Sequence, residues 1–166
     1  MRIIEASKEQ LSVVRDLAYK IWPDTYGKIL SKEQLDYMLD NFYAIPSLEG
    51  QMNSGHVFLL IEEEEEGMYL GFAAYEVNCK DSGKTKLHKI YVLPQTQGKG
   101  LGKLLLTEVE NRAKDAQNTH LFLNVNKYNN AQEFYKAKGF DTAYEEVIDI
   151  GRGYVMDDYV MEKPLN

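Results

Sequence analysis

The glycine-dense segment after the apolar run at residues 90–93 constrains this chain more than any other feature. Pro94 ends the run, glycines follow at positions 98, 100 and 102, and apolar side chains then recur at helical spacing. Glycine lets a ligand approach the backbone closely, and the free N–H groups at a helix start favour an anion. The segment therefore predicts a strand, a phosphate-binding loop at residues 97–103 and a long helix over 98–116.

The glycine spacing separates this loop from two common phosphate-binding motifs. A dinucleotide loop needs Gly-x-Gly-x-x-Gly, but counting from Gly98 places Lys103 at the last position. A nucleotide-triphosphate loop needs a glycine five residues before the Gly98-Lys99 pair, where the chain has Leu93. The remaining pattern, Gln97-x-x-Gly100-x-Gly102, is similar to the pyrophosphate loop of the GNAT superfamily, the GCN5-related N-acetyltransferases that bind acetyl-coenzyme A.

A second segment resembles the other landmark of that family. Asparagines end a strand at residues 124–126, a short helix carries Ala131-x-x-Phe134-Tyr135, and Gly139-Phe140 follow. The resemblance extends over residues 2–163. It implies one N-acetyltransferase domain over residues 1–166 with an α+β fold. The expected architecture is a mixed, mostly antiparallel sheet of about seven strands with helices on both faces.

Acetyl-coenzyme A is the co-substrate that the resemblance implies. Residues matching the family's binding segments include a strand whose backbone pairs with the pantetheine arm, the pyrophosphate loop, and two asparagines near the pantetheine. The strand residues are Ile90, Tyr91 and Val92. The loop residues are Gln97, Gly98, Lys99, Gly100, Leu101, Gly102 and Lys103, and the two asparagines are Asn126 and Asn129. Ordinary exposed lysines would also explain Lys99 and Lys103. Strand-end and capping roles would explain the asparagines, and Asn130 suits the contact as well as Asn129 does.

The implied reaction is transfer of the acetyl group to a primary amine. Tyr135 matches the family's general-acid tyrosine, which protonates the thiolate leaving group; packing within an amphipathic helix is its other explanation. The amine must also lose a proton. His88, with an ordinary pKa near ~6.5, is one candidate base, and Glu76 and ordered water are the others.

The acceptor segments of the family map to aromatic and acidic residues here, among them Trp22, Tyr26 and Asp158. Aromatic faces and carboxylates suit a cationic amine. Residues 154–161 and 24–26 are weakly similar to a bacterial polyamine-acetylating subgroup. Other small amines and a protein or peptide amine remain open as acceptors.

Composition excludes several other functions. A net charge of −7 argues against nucleic acid as a partner. The single cysteine, Cys79, fits a reducing compartment, and the apolar runs fall far short of the ~20 residues that span a bilayer. We therefore expect a cytoplasmic protein without a membrane partner. A homodimer is possible through exposed strand edges.

Three further expectations complete the sequence-based interpretation. No metal is expected, because the three histidines are isolated from one another in the sequence and no cysteine pair is present. Pro23 is expected to end the first helix, and Ser31 to cap the second. The alternative to an enzyme is a module of the same fold that binds acyl-coenzyme A as a sensor without turnover.

Overall fold

The computed structural model describes all 166 residues and consists of one seven-stranded sheet and five helices. The strands are β1 (Arg2–Glu5), β2 (Val57–Glu63), β3 (Met68–Glu76), β4 (Thr85–Val92), β5 (His120–Asn126), β6 (Asp141–Gly151) and β7 (Tyr154–Pro164). The helices are α1 (Leu11–Tyr26), α2 (Lys32–Tyr43), α3 (Ile45–Asn53), α4 (Leu101–Asp115) and α5 (Ala131–Ala137).

The strands lie in the order β1-β2-β3-β4-β5-β7-β6, and β4–β5 is the one parallel pair. The predicted α+β fold with a mixed, mostly antiparallel sheet is thereby confirmed. Four consecutive residues of β2, from position 58 to 61, are fully buried. A strand that is apolar on both of its sides needs cover on both faces of the sheet. Helices α1 to α3 supply one layer, and α4 packs on β2 to β5.

The first two helices follow the sequence signals in different ways. The Ser31 hydroxyl accepts the Gln34 N–H at 3.1 Å, which confirms the predicted cap of α2. The prediction that Pro23 ends the first helix is wrong, because α1 continues through it to Tyr26. A proline removes one N–H from the helix. Here it lies in the last turn, where Trp22 and Tyr26 gain from packing against the aromatic core.

Strand β4 has two irregularities that shape the candidate site. Against β3, Tyr75 pairs with Leu87 and Ala74 with Lys89, so His88 is the extra residue of a β-bulge. Against β5, β4 pairs only through residues 85–87, although both strands continue for several residues. The two strands therefore separate into a wedge. The edge of β4 over residues 90–92 has no strand partner on that side.

No helix combines the length and the apolar character needed to cross a membrane. The free edges of the sheet are β1 and β6. Strand β6 exposes Tyr144 and Val147. Pairing of two copies through such an edge stays a prediction.

Candidate active site

The glycine loop presents free amides at the start of α4. Gly98 and Gly100 have φ angles of +84° and +80°, a region that glycine enters without steric cost. Gly100 caps the helix, and its carbonyl accepts the Leu104 N–H at 3.1 Å. The N–H groups of residues 101–103 have no acceptor within the protein. Three free amides at the positive end of a helix dipole form an anion site.

A cleft of about 1160 Å³ runs from this loop along the wedge between β4 and β5. Most of the predicted cofactor-binding residues line it: Ile90, Tyr91, Val92, Gln97, Gly98, Gly100, Leu101, Gly102, Lys103 and Asn129. Two do not. Lys99 is exposed outside the cleft, and Asn126 lines a neighbouring cavity. The cleft therefore brings together both segments on which the family resemblance was based.

The neighbouring cavity has a volume of about 240 Å³ and lies between the sheet and helices α1 to α3. Aromatic residues dominate its wall on the helix side. Six residues line both this cavity and the cleft: Tyr26, Leu87, His88, Lys89, Tyr91 and Asn124. We call these six residues the junction. A ligand in the cleft and a second ligand in the cavity would meet there.

His88 lies at the junction with its imidazole held from two sides. Its Nε2 is 2.9 Å from Glu76 Oε1, and its ring stacks on that of His56 at 3.9 Å and 13°. The prediction that the histidines are isolated is wrong for this pair, because β2, β3 and β4 bring them together. Burial and the neighbouring His56 lower the pKa of His88 to about 2, so the imidazole is neutral.

His56, Glu76 and His88 each place one possible metal-ligand atom within 4.8 Å of the others. The two rings are nearly parallel, however, and their lone pairs run along separate lines. An ion such as Zn²⁺ needs the ligand lone pairs to converge at about 2.0–2.1 Å. The present arrangement therefore fits a hydrogen-bonded network, and the absence of a metal stays a prediction.

Tyr135 lines the cleft but not the neighbouring cavity. Its ring is almost fully buried and packs on Phe134 and Phe140, with centroids 5.4 and 5.6 Å away. Burial and the nearby Tyr26 raise the pKa of Tyr135, so its hydroxyl keeps its proton. The ring packs in the core while the side chain borders the cleft, and the general-acid role of Tyr135 stays a prediction.

The two predicted asparagines make local backbone contacts. Asn126 Oδ1 accepts the Tyr128 N–H at 2.9 Å, and Asn129 Oδ1 accepts the Ala131 N–H at 2.9 Å. These bonds fix the turn after β5 and the start of α5. Each side chain keeps an amide NH₂ that makes neither of these bonds. The cofactor roles predicted for Asn126 and Asn129 remain predictions.

Sequence analysis named Trp22, Tyr26 and Tyr91 but did not predict that they form one aromatic group at the junction. The Tyr26 and Tyr91 hydroxyls are 2.8 Å apart, and Trp22 packs on both rings. Lys89, two residues before Tyr91 on β4, was also not singled out. Alternation along a strand places these two side chains on one face. The alternation of Lys89 and Tyr91 can be read from the sequence. The helix α1, which supplies Trp22 and Tyr26, comes from a distant part of the chain.

Comparison with known proteins agrees with this geometry. The model of the acetyltransferase (GNAT) domain family matches residues 28–159. The chain belongs to this family. It is therefore an acyltransferase, and acetyl-coenzyme A is its co-substrate.

Two curated relatives are N-acetyltransferases. An uncharacterised one encoded in the pepI 3′ region of Lactobacillus delbrueckii subsp. lactis is 26% identical over 99% of this chain and 98% of its own length. The ribosomal protein bS18-alanine N-acetyltransferase of Haemophilus influenzae is 30% identical, over 61% of this chain and 64% of its own.

Solved structures share the whole fold. The PaiA N-acetyltransferase of Thermoplasma acidophilum, solved in complex with coenzyme A, superposes with a TM-score of 0.79 at 25% identity over 98% of both chains. A GCN5-related N-acetyltransferase of Rhodopseudomonas palustris gives 0.82 at 19% identity, covering 99% of this chain and 95% of that one. These likenesses agree with the seven-stranded architecture described above.

Proposed function

We propose that this GNAT protein transfers the acetyl group of acetyl-coenzyme A directly to a primary amine at the junction. One observation carries the proposal: the long cleft and the smaller cavity meet at a shared set of residues. The cleft begins at the free amides of α4, which suit the pyrophosphate. The cavity supplies a separate space for the acceptor. Both substrates can therefore be bound together and react without a covalent enzyme intermediate.

The cofactor would be held mainly by backbone groups. The free N–H groups of residues 101–103 face the pyrophosphate, and Lys103 adds a positive charge beside them. The unpaired edge of β4 over residues 90–92 offers hydrogen bonds to the pantetheine arm. An N–H on this edge can also polarise the thioester carbonyl, which gains negative charge when the amine attacks.

His88, with Glu76 behind it, is our candidate for removing the proton of the acceptor. If Nε2 donates to Glu76, Nδ1 keeps the free lone pair that accepts a proton. The neutral imidazole is the form that can accept a proton and pass it on, and the Glu76 carboxylate at 2.9 Å orients the ring. The amine nitrogen then attacks the thioester carbon, and the C–S bond breaks as the tetrahedral intermediate collapses.

Tyr135 is our candidate for protonating the departing thiolate. It lines the cleft but not the acceptor cavity, which supports a role with the leaving group. A phenol with a raised pKa stays protonated and can donate its proton. Since a thiol has a pKa of ~8.5, the thiolate leaves fairly well without help, and the contribution of Tyr135 is expected to be moderate.

Calorimetric titration with acetyl-coenzyme A, followed by thiol release with a panel of amines, tests the proposal. The panel contains polyamines, simple monoamines, amino acids and short peptides, since the acceptor class is part of the question. Saturable binding together with amine-dependent thiol release is the expected result. Binding without release from any amine would refute the transferase and favour a sensor. Absence of binding would refute the cofactor site itself.

A further inference from the structure

Three residues that line the acceptor cavity each carry a buried polar atom without a hydrogen-bond partner: Trp22 Nε1, Tyr43 OH and Asp158 Oδ1. The side chains that carry them are 4%, 0% and 0% exposed. Each unsatisfied buried polar group costs roughly 1–3 kcal/mol. Five such atoms occur in the chain, so most of them belong to this one cavity. The clustering indicates a polar ligand that would complete these bonds.

Two of the three atoms are donors, and the Tyr43 ring that carries one of them lies beside a cation. The Trp22 and Tyr43 rings are 5.4 Å apart, and the Lys89 ammonium is 5.7 Å from the centroid of the Tyr43 ring. Lys89 donates one hydrogen bond, to Gln51 Oε1 at 2.6 Å, and forms no ion pair with a carboxylate. An ammonium has three donors. An indole N–H, a phenol O–H and the two remaining N–H donors of the ammonium together suit a carboxylate.

The third atom is an acceptor in a negatively charged part of the cavity. Asp158 is on β7, directly opposite Asn126 of β5. The Asn124 side-chain amide donates to Asp158 Oδ2 at 3.3 Å and to Glu146 at 3.0 Å, so two carboxylates meet at one amide. Asp158 Oδ1 is left for a ligand. An ammonium group suits it, and Asn124 places this position beside the junction.

The two charged positions lie well apart. Lys89 is on β4 and leans toward Phe58 of β2, whereas Asp158 is on β7 beyond β5. Two strand spacings amount to about 10 Å. An extended chain covers 3.3–3.6 Å per residue, so about three residues are needed to span this distance. Between these positions the cavity is lined by apolar side chains such as Met38, Phe42 and Met156.

We propose that the acceptor is a short zwitterionic peptide, with its carboxylate bound by Trp22, Tyr43 and Lys89 and its α-amine next to Asp158. The inference rests on the proposed function and names its substrate class. Lys86 lines the same cavity, and like Lys89 it would repel a polyamine. The free carboxylate therefore distinguishes this acceptor from the polyamines with which the sequence showed a weak similarity.

The test compares two acceptors that differ only in the charge of the terminal carboxyl group, the tripeptide Ala-Ala-Phe and its C-terminal amide. We expect kcat/KM for thiol release to be at least tenfold higher with the free acid, mainly through KM, because a charge-assisted bond is lost in the amide. Lys89→Met should bring the acid-to-amide ratio close to one. Lys114→Met, an exposed lysine of α4 outside both cavities, should leave the ratio unchanged.

Equal rates for acid and amide would overturn this inference while leaving amine acetylation intact, and so would a higher kcat/KM for spermidine. A ratio that Lys89→Met does not change would overturn the assigned carboxylate position. Lys89→Met could instead change the relative kcat/KM for succinyl-coenzyme A and acetyl-coenzyme A while leaving the acid-to-amide ratio unchanged. That result would place the anion on the acyl group and overturn the assigned carboxylate position. Failure of every amine would instead refute the transferase. The wild-type comparison needs no variant, so misfolding cannot hide the answer.

Discussion

Substitution of Gly100 tests whether the start of α4 binds the pyrophosphate. A Cβ at this position would meet no atom within 4 Å, so a side chain has room to enter the cleft without a clash. Gly100→Asp places a negative charge beside the free amides of residues 101–103. Gly100→Asn is the matched control, since asparagine has nearly the same shape and both residues tolerate a positive φ. Any difference between the two variants is therefore electrostatic.

The size of that difference follows from Coulomb's law. Two unit charges 4 Å apart interact by about 1 kcal/mol in water and about 4 kcal/mol near a protein surface. For a pyrophosphate with two negative charges, the lower value gives about 2 kcal/mol, or roughly a 30-fold weaker Kd for Gly100→Asp than for Gly100→Asn. Calorimetry with acetyl-coenzyme A at ~0.1 M salt measures it, and ~1 M salt should reduce it. Equal affinities of the two variants would refute the placement of the phosphates.

Three further predictions concern turnover, packing and pH. Tyr135→Phe should lower kcat by about tenfold or more in thiol-release assays while the Kd for acetyl-coenzyme A stays unchanged; unchanged kcat would leave the tyrosine a purely packing residue. Gly71→Ala should destabilise the fold by about 1–3 kcal/mol in denaturant unfolding, because the new Cβ would lie 2.7 Å from the Tyr91 carbonyl oxygen. Gly50→Ala should stabilise the fold by about 0.5–1 kcal/mol, because the new Cβ has open space and alanine favours the helix α3. Similar effects of both alanines would contradict this reasoning. Burial lowers the pKa of both His56 and His88, so below pH ~6.5 the unfolded chain binds more protons than the folded one. The free energy of unfolding should therefore fall as the pH drops from ~7 to ~5, by no more than ~1.4 kcal/mol per pH unit for each histidine, and a double glutamine variant should show a flatter curve.

The family resemblance indicates the acetyl donor more directly than it indicates the acceptor. We propose that the glycine loop and the wedge in the sheet bind acetyl-coenzyme A. The acceptor cavity is made from α1, α2, β4 and β7, and the glycine-loop motif does not identify these elements.

Local sequence determined the parts of this protein that depend on backbone conformation. The glycines at 98 and 100 require positive φ, the helix that follows supplies free amides, and Ser31 caps α2. These features arise from residues close together in the chain, so their spacing predicts them. The apolar run before Pro94 and the helical spacing after the glycine loop likewise predicted β4 and α4.

Tertiary structure alone decided which side chains share the site. His56, Glu76 and His88 look isolated in the sequence, yet three neighbouring strands and one bulge bring them into contact. Pro23 appeared to end a helix that aromatic packing carries on to Tyr26. The acceptor cavity joins Trp22, Tyr43, Lys89 and Asp158 from four elements. Residue spacing within one element predicts its local conformation, whereas contacts between distant elements depend on how the sheet is ordered and where two of its strands separate.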